Sequence, residues 1–66
     1  MKIVVNGEPA EVPAGCTVAM LVSQIASGKT GVAVARNDDV VPRSSWADTE
    51  LAEGDQVEIL TAVQGG

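Results

Sequence analysis

The apolar positions of this chain switch between a period of two and a period near 3.6, and the switches mark its elements. Lys2 to Val5 is β-branched and alternating, with Ile3 and Val5 on one face and Lys2 and Val4 on the other, which predicts a strand. Asn6-Gly7 follows, a pair that tolerates the positive φ of a tight hairpin turn. The turn predicts a second strand, Glu8 to Val12, folding back on the first, and Pro9 places that strand at a sheet edge because proline has no N–H to donate. Pro13-Ala14-Gly15 breaks the alternation.

Thr17 is a candidate N-cap for a helix from about Val18 to Ala26. Val18, Leu21, Val22 and Ile25 fall at i, i+3, i+4 and i+7, so they form one apolar stripe expected to face a core, while Ser23 and Gln24 point away. Gly28 stands where a C-terminal cap is expected. From Gly31 the period returns to two, with Val32 and Val34 on one face and Ala33 and Ala35 on the other as far as Arg36. Asn37-Asp38-Asp39 reads as a turn, Val40-Val41 as a short strand and Pro42 as its stop. Ser44 or Ser45 is a candidate cap for one helical turn through Trp46 to Glu50, with Trp46 and Leu51 closing the core. Gly54-Asp55 turns the chain into a last strand, Gln56 to Ala62, whose Val57 and Ile59 face inward because Glu58 must face out.

This order, β, β, α, β, β, a short turn and β, predicts an α+β domain: a mixed sheet of four to five strands with one main helix packed on one face. The domain is expected over residues 1–62, followed by a tail over 63–66. Outward alternation in the last strand leaves Leu60 and Ala62 exposed, beside Ala33, Ala35 or Val4 if those strands are neighbours. Such a platform next to Val63 and Gln64 suits partner docking, although exposed apolar residues are also ordinary on any surface.

Composition narrows the function. Nine acidic residues against four basic ones give a net charge of −5, with a single aromatic residue, Trp46. This is neither the basic footprint nor the aromatic platform of a nucleic-acid binder, so no nucleic-acid partner is expected; basic proteins are the expected partners. No apolar run is long enough to span a membrane and the N-terminus has no signal-peptide pattern, so a cytoplasmic location is expected. With no His and no Tyr, general acid–base work would fall to carboxylates, and Glu8 with Glu11 or Asp38 with Asp39 read as solvated surface charge. No phosphate-binding glycine motif is present. The one cysteine, Cys16, has neither a disulfide partner nor a histidine with which to hold a metal. It lies just ahead of the expected helix, where a dipole activates thiols, yet a buried, idle small residue is the simpler reading.

The sequence closes on Gly65-Gly66. Two residues without side chains make a thread able to enter a channel too narrow for a Cβ, so the expected reactive group is the carboxylate of Gly66 with Gly65 as spacer. A carrier of a small activated group, a modifier protein that joins lysine, and a plain interaction domain each remain compatible with this pattern. They differ in what the terminus gains: the group, a protein, or nothing.

Met1 to Gly7, the Val40-Val41-Pro42-Arg43-x-x-Trp46 segment, the Gly54-Asp55 turn and the final Gly65-Gly66 together resemble the ThiS/MoaD family of ubiquitin-like sulfur carriers. The likeness covers essentially the whole chain, and its length and Val-Pro-Arg-x-x-Trp segment favour the ThiS branch, of thiazole and thiamine biosynthesis, over the MoaD branch, of molybdopterin synthesis. The resemblance implies a β-grasp, ubiquitin-like fold and the role of a protein cosubstrate rather than an enzyme. It implies a ThiF-like adenylyltransferase that uses ATP and Mg²⁺ to adenylate Gly66, a persulfide protein that donates sulfur to make a thiocarboxylate, and the thiazole synthase ThiG as acceptor. No cofactor is expected on the chain itself. Arg43 is left as a partner contact, a brace or a solvated charge.

Overall fold

The computed structural model describes residues 1–26 and 31–62 of the chain. Five strands, β1 (Lys2–Val5), β2 (Glu8–Glu11), β3 (Val32–Arg36), β4 (Asp39–Val41) and β5 (Gln56–Thr61), form one mixed sheet in the order β2-β1-β5-β3-β4. Helix α1 (Val18–Ile25) and a 3₁₀ helix (Arg43–Asp48) supply the remaining elements. All neighbouring strands are antiparallel except β1 and β5, which run parallel with Val4 opposite Gln56 and Val5 opposite Val57. The first and last strands are thus partners at the middle of the sheet.

Local chemistry explains most boundaries. Asn6 and Gly7 both take positive φ, 51° and 81°, as the tight turn between β1 and β2 requires. β2 lies at the edge, where the missing N–H of Pro9 breaks no ladder. It ends one residue earlier than the pattern suggests: Val12 is buried and donates its N–H to the Met1 carbonyl. The Thr17 hydroxyl accepts the Met20 N–H at 3.2 Å, capping α1.

The core lies between the sheet and α1. Ile3, Val18, Val34 and Val57 are its most enclosed side chains, joined by Leu21, Val22, Trp46, Leu51 and Ile59. Alternation holds in β5, where Val57 and Ile59 are buried while Glu58 and Leu60 are exposed. Trp46 is buried and its indole N–H reaches the Val41 carbonyl at 2.8 Å, so the ring packs inside without leaving a donor unpaired.

Several expectations are corrected. Ile25 belongs to the apolar stripe by angle but is 49 % exposed, and Ala26, 4 % exposed, takes the buried place. The chain leaves helical geometry at Ala26 (φ −124°, ψ 30°), so the helical period stops describing the inward face there. Position along the axis overrides angle around it. Asp39 belongs to β4, leaving Asn37 and Asp38, with φ of 50° and 72°, as the turn itself. Neither Ser44 nor Ser45 caps the short helix: it begins at Arg43 behind an extended Pro42, without a side-chain cap, and ends at Asp48 rather than Glu50. The Pro42 carbonyl accepts the Ser45 N–H at 2.8 Å, so an i→i+3 backbone bond winds the first turn from Pro42, ahead of either serine. β5 ends at Thr61, one residue before Ala62. Gly28 lies outside the described residues.

Candidate functional site

The site follows from where β5 runs. Strands β1 and β3 flank it, so the chain leaves the sheet from its middle strand and not from an edge. The face of β5 turned away from the helix carries Gln56, Glu58 and Leu60. Leu60 stands opposite Ala33 and Glu58 opposite Ala35, while Val40 of β4 pairs with Ala35 and Val4 of β1 with Gln56. This places Leu60, 67 % exposed, and Val40, 78 % exposed, on one outer face with two alanines between them. Ala62 is exposed just beyond Leu60. The expected neighbours of Leu60 and Ala62 are therefore correct for Ala33, with Ala35 and Val4 further along the same face. Next to them a depression is lined by Val4, Gly7, Ala35, Asp38, Gln56, Val57 and Glu58, so carboxylates stand at the border of the apolar strip.

Two polar devices fix β5. The Asn6 side chain accepts the Ile59 N–H at 2.9 Å and donates to the Ile59 carbonyl at 3.3 Å, so it imitates a strand partner just where β1 ends. At the start of β5, the carboxylate of Asp55, 6 % exposed, accepts from Arg36 Nε at 2.7 Å, the Ala52 N–H at 2.8 Å and Asn37 Nδ2 at 3.1 Å. The Asn37 amide oxygen in turn accepts the Gln56 N–H at 3.0 Å. Burial alone would push the Asp55 carboxyl up, but the hydrogen bonds from Ala52, Arg36 and Asn37, with the Arg36 charge, outweigh it and hold the group below its ordinary value.

At its far end β5 is tied to the residue before β3. The Ala62 N–H donates to the Gly31 carbonyl at 3.0 Å. Gly31 has φ +66°, and a Cβ built on it would stand 2.8 Å from the Ala62 Cβ. That contact requires a glycine twice over, once for the dihedral and once for the space.

Cys16 is buried in the core, 3 % exposed, with its thiol directed at the Thr17 carbonyl at 3.5 Å. This is a packed position, as the buried reading expects. The Arg43 guanidinium lies 5.1 Å from the centre of the Trp46 ring, a cation–π brace over the short helix. Of the expected site residues, Leu60 and Ala62 come together on the outer face; Val63, Gln64, Gly65 and Gly66 lie outside the described residues. No group of three or more His, Cys, Asp or Glu that could hold a metal occurs among the described residues, and no helix there is long and apolar enough to cross a membrane.

Sequence reasoning missed the Asp55–Arg36–Asn37 cluster, the double role of Asn6 and the Gly31–Ala62 contact. Asp55 and Arg36 are nineteen positions apart and Asn6 and Ile59 fifty-three, so no local spacing signals them. Only the odd placement of an Arg at the end of an apolar strand, followed by Asn, hinted at a partner.

The sequence and the fold have counterparts among known proteins. The ThiS family model matches residues 3–66. Sulfur carrier protein ThiS of Escherichia coli (strain K12) is 35 % identical over 66 residues, covering the whole of both chains. A thiazole synthase of Paramagnetospirillum magneticum is 39 % identical over the whole of this chain, which spans only 20 % of that protein's length. A thiazole synthase of Magnetococcus marinus shows the same identity and the same 20 % share. Among solved structures, the crystal structure of thiamine biosynthesis protein ThiS from Geobacter metallireducens superposes with a TM-score of 0.82 at 32 % identity, covering all of both chains.

Proposed function

The chain belongs to the ThiS family and is a sulfur carrier, a protein cosubstrate rather than a catalyst, and from this we propose that it holds sulfur as a thiocarboxylate on Gly66 for use in making the thiazole of thiamine. The observation that carries the reading is the placement of β5: the central strand carries an exposed Leu60 opposite an exposed Ala33, and its last residue, Thr61, stands only four positions before Gly65 in the sequence. A partner that covers the outer sheet face therefore holds the chain within a few residues of the diglycine.

The chemistry divides between the chain and its partners. A carboxylate is a poor electrophile, because its oxygen is a poor leaving group. A ThiF-like adenylyltransferase, using ATP and Mg²⁺, joins the Gly66 carboxylate to AMP and releases pyrophosphate. A persulfide sulfur then attacks the acyl carbonyl and expels AMP, and a second thiol cleaves the resulting acyl disulfide to leave the thiocarboxylate. The chain contributes the acyl group and the address for docking. A thiocarboxylic acid is more acidic than a thiol, so it stays an anionic nucleophile at neutral pH, and a chain without His or Tyr needs no base of its own.

Docking is assigned to Leu60 and Ala62 with Val63 and Gln64, against a partner whose basic groups meet the chain's acidic surface. Relatives named thiazole synthase carry the matched segment within a longer chain, which supports a thiazole synthase as the acceptor of the sulfur. The cytoplasm, where ATP is available, is the proposed location.

The test is intact mass spectrometry after incubation with the activating enzyme, ATP, Mg²⁺ and a persulfide source. The expected product has exchanged one oxygen for sulfur, located to Gly66 by fragmentation. Deleting Gly66, or adding one residue after it, should leave the fold intact and abolish the product. A bulky residue at Gly65 should act nearly as severely. Sulfur found elsewhere, or an extended and unprocessed chain that reacts at the unmodified rate, refutes the proposal.

A further inference from the structure

We propose that Gly31 is a positioning residue for sulfur loading: together with Ala62 it fixes the point at which the backbone leaves the sheet toward the diglycine. The inference rests on the reading of Gly66 as the reactive end, and it deepens that reading by naming what aims it.

β3 and β5 pair with Val32 opposite Thr61, and one step further along the same register puts Gly31 opposite Ala62. The ladder closes there with the Ala62 N–H on the Gly31 carbonyl at 3.0 Å. Any Cβ at position 31 would stand 2.8 Å from the Ala62 Cβ, so something must shift. The other contacts of Ala62 do not resist such a shift, because it is exposed and lies beyond the last residue of β5. The core side of Gly31 is equally sparse: its φ of +66° turns the chain into β3 and it contributes no side chain to packing. Substitution at Gly31 therefore moves the exit of β5 rather than the core.

That displacement reaches the reacting atom. The four residues after Ala62 span at most about 14 Å when extended, and a carbonyl that must meet an α-phosphate tolerates little error: about 1 Å of misplacement can cost roughly a hundredfold in rate. An exit strand that is hydrogen-bonded at its final residue loses less freedom on entering a partner's channel than one that frays. Leu60, the larger docking side chain, is separate from this contact, because it pairs with Ala33 two residues away on both strands. Ala62 belongs to both, so Gly31→Ala, which leaves the Ala62 side chain in place, is the variant that separates turnover from docking. Gly31 should therefore act on turnover while Leu60 acts on docking.

The experiment compares ATP–pyrophosphate exchange by the activating enzyme with unmodified chain, Gly31→Ala, Ala62→Gly, the double variant, and Ala62→Pro, which removes the donor to the Gly31 carbonyl. Circular dichroism sets a temperature at which each variant is folded. Gly31→Ala is expected to lower kcat at least tenfold with KM within about threefold. The double variant, which removes the opposing Cβ but keeps the strained φ, should recover most of kcat while its Tm stays close to that of Gly31→Ala. Ala62→Pro should lower kcat without a matching fall in Tm, and it serves as the reporter if Gly31→Ala does not fold. Unaltered kcat in folded Gly31→Ala or in Ala62→Pro overturns the proposal, as does a kcat that follows Tm across the set, which is what a merely structural role would give. Absence of exchange with the unmodified chain refutes the Gly66 reading and this inference with it; normal exchange by the unmodified chain and by Gly31→Ala alike removes this inference alone.

Discussion

Replacing Asp55 by alanine removes the acceptor on which three donors converge, and the cost can be worked from its surroundings. The carboxylate is 6 % exposed and takes hydrogen bonds at 2.7, 2.8 and 3.1 Å from Arg36, Ala52 and Asn37. Breaking a fully buried ion pair costs about 3–5 kcal/mol. Arg36 is one-third exposed here, 33 % by its side chain, so water takes over part of its solvation. The Ala52 N–H and the Asn37 amide lose their partner as well, each at about 1 kcal/mol or more where buried. The expected loss is about 2–4 kcal/mol, against a total of roughly 3–10 kcal/mol for a domain of this size. Asp55→Asn keeps an acceptor for Arg36 and Ala52 but turns an NH₂ toward the Asn37 donor, so it should lose roughly half as much. Trp46 is the only tryptophan and is buried, so its fluorescence during urea unfolding reads each stability. The pH dependence has a definite sign. A carboxyl held below its ordinary 3.8 in the folded chain contributes stability that is full above 3.8 and is lost as pH falls through the lower folded value. The gap between the unmodified chain and Asp55→Ala should therefore be constant near neutral pH and narrow below 3.8. A loss under about 1 kcal/mol, or a gap that does not narrow in acid, refutes the assignment of Asp55 as the latch of β5.

Further outcomes follow from the same contacts. Trp46→Phe removes the indole donor to the Val41 carbonyl, found at 2.8 Å, and part of a buried ring, and should cost about 1–3 kcal/mol by thermal unfolding; an unchanged Tm contradicts the packing. Cys16→Ser buries a hydroxyl where a packed thiol stood and should cost about 1–2 kcal/mol while thiocarboxylate still forms, as intact mass can check; complete loss of product in folded protein would make Cys16 part of the chemistry. Leu60→Asp should leave Tm nearly unchanged because the side chain is 67 % exposed. Burying a leucine is worth about 1.5–3 kcal/mol, so this change should weaken binding to the activating enzyme by roughly ten- to a hundredfold. Added salt should slow association of the unmodified chain, read by stopped flow, and a rate indifferent to salt removes the charge steering.

The elements of this fold were legible in the sequence wherever one turn or one face decides them. The Asn6-Gly7 turn, the Thr17 cap and the inward Val57 and Ile59 all depend on residues within a few positions of one another, so local spacing carries them. The outward Leu60 follows from the same alternation, and that is why a candidate docking residue could be named before any tertiary contact was known. Ile25 shows the limit: the angular rule holds only while the helix continues, and where α1 stops depends on what the chain meets beyond it. The 3₁₀ helix behind Pro42 shows it again, because its extent answers to the burial of Trp46 against the core rather than to a serine cap. Strand order is different in kind. The parallel pairing of β1 with β5, the amide of Asn6 across Ile59, the Asp55 cluster and the close approach of Gly31 to Ala62 join residues far apart in the chain. Their energies arise only after the loop entropy of bringing those segments together has been met, so no window of sequence contains them. The sequence by itself determined what the elements are and that the diglycine is the candidate chemistry; the tertiary structure decided that β5 lies at the centre of the sheet, with the exposed Leu60 and Ala33 side by side on its outer face.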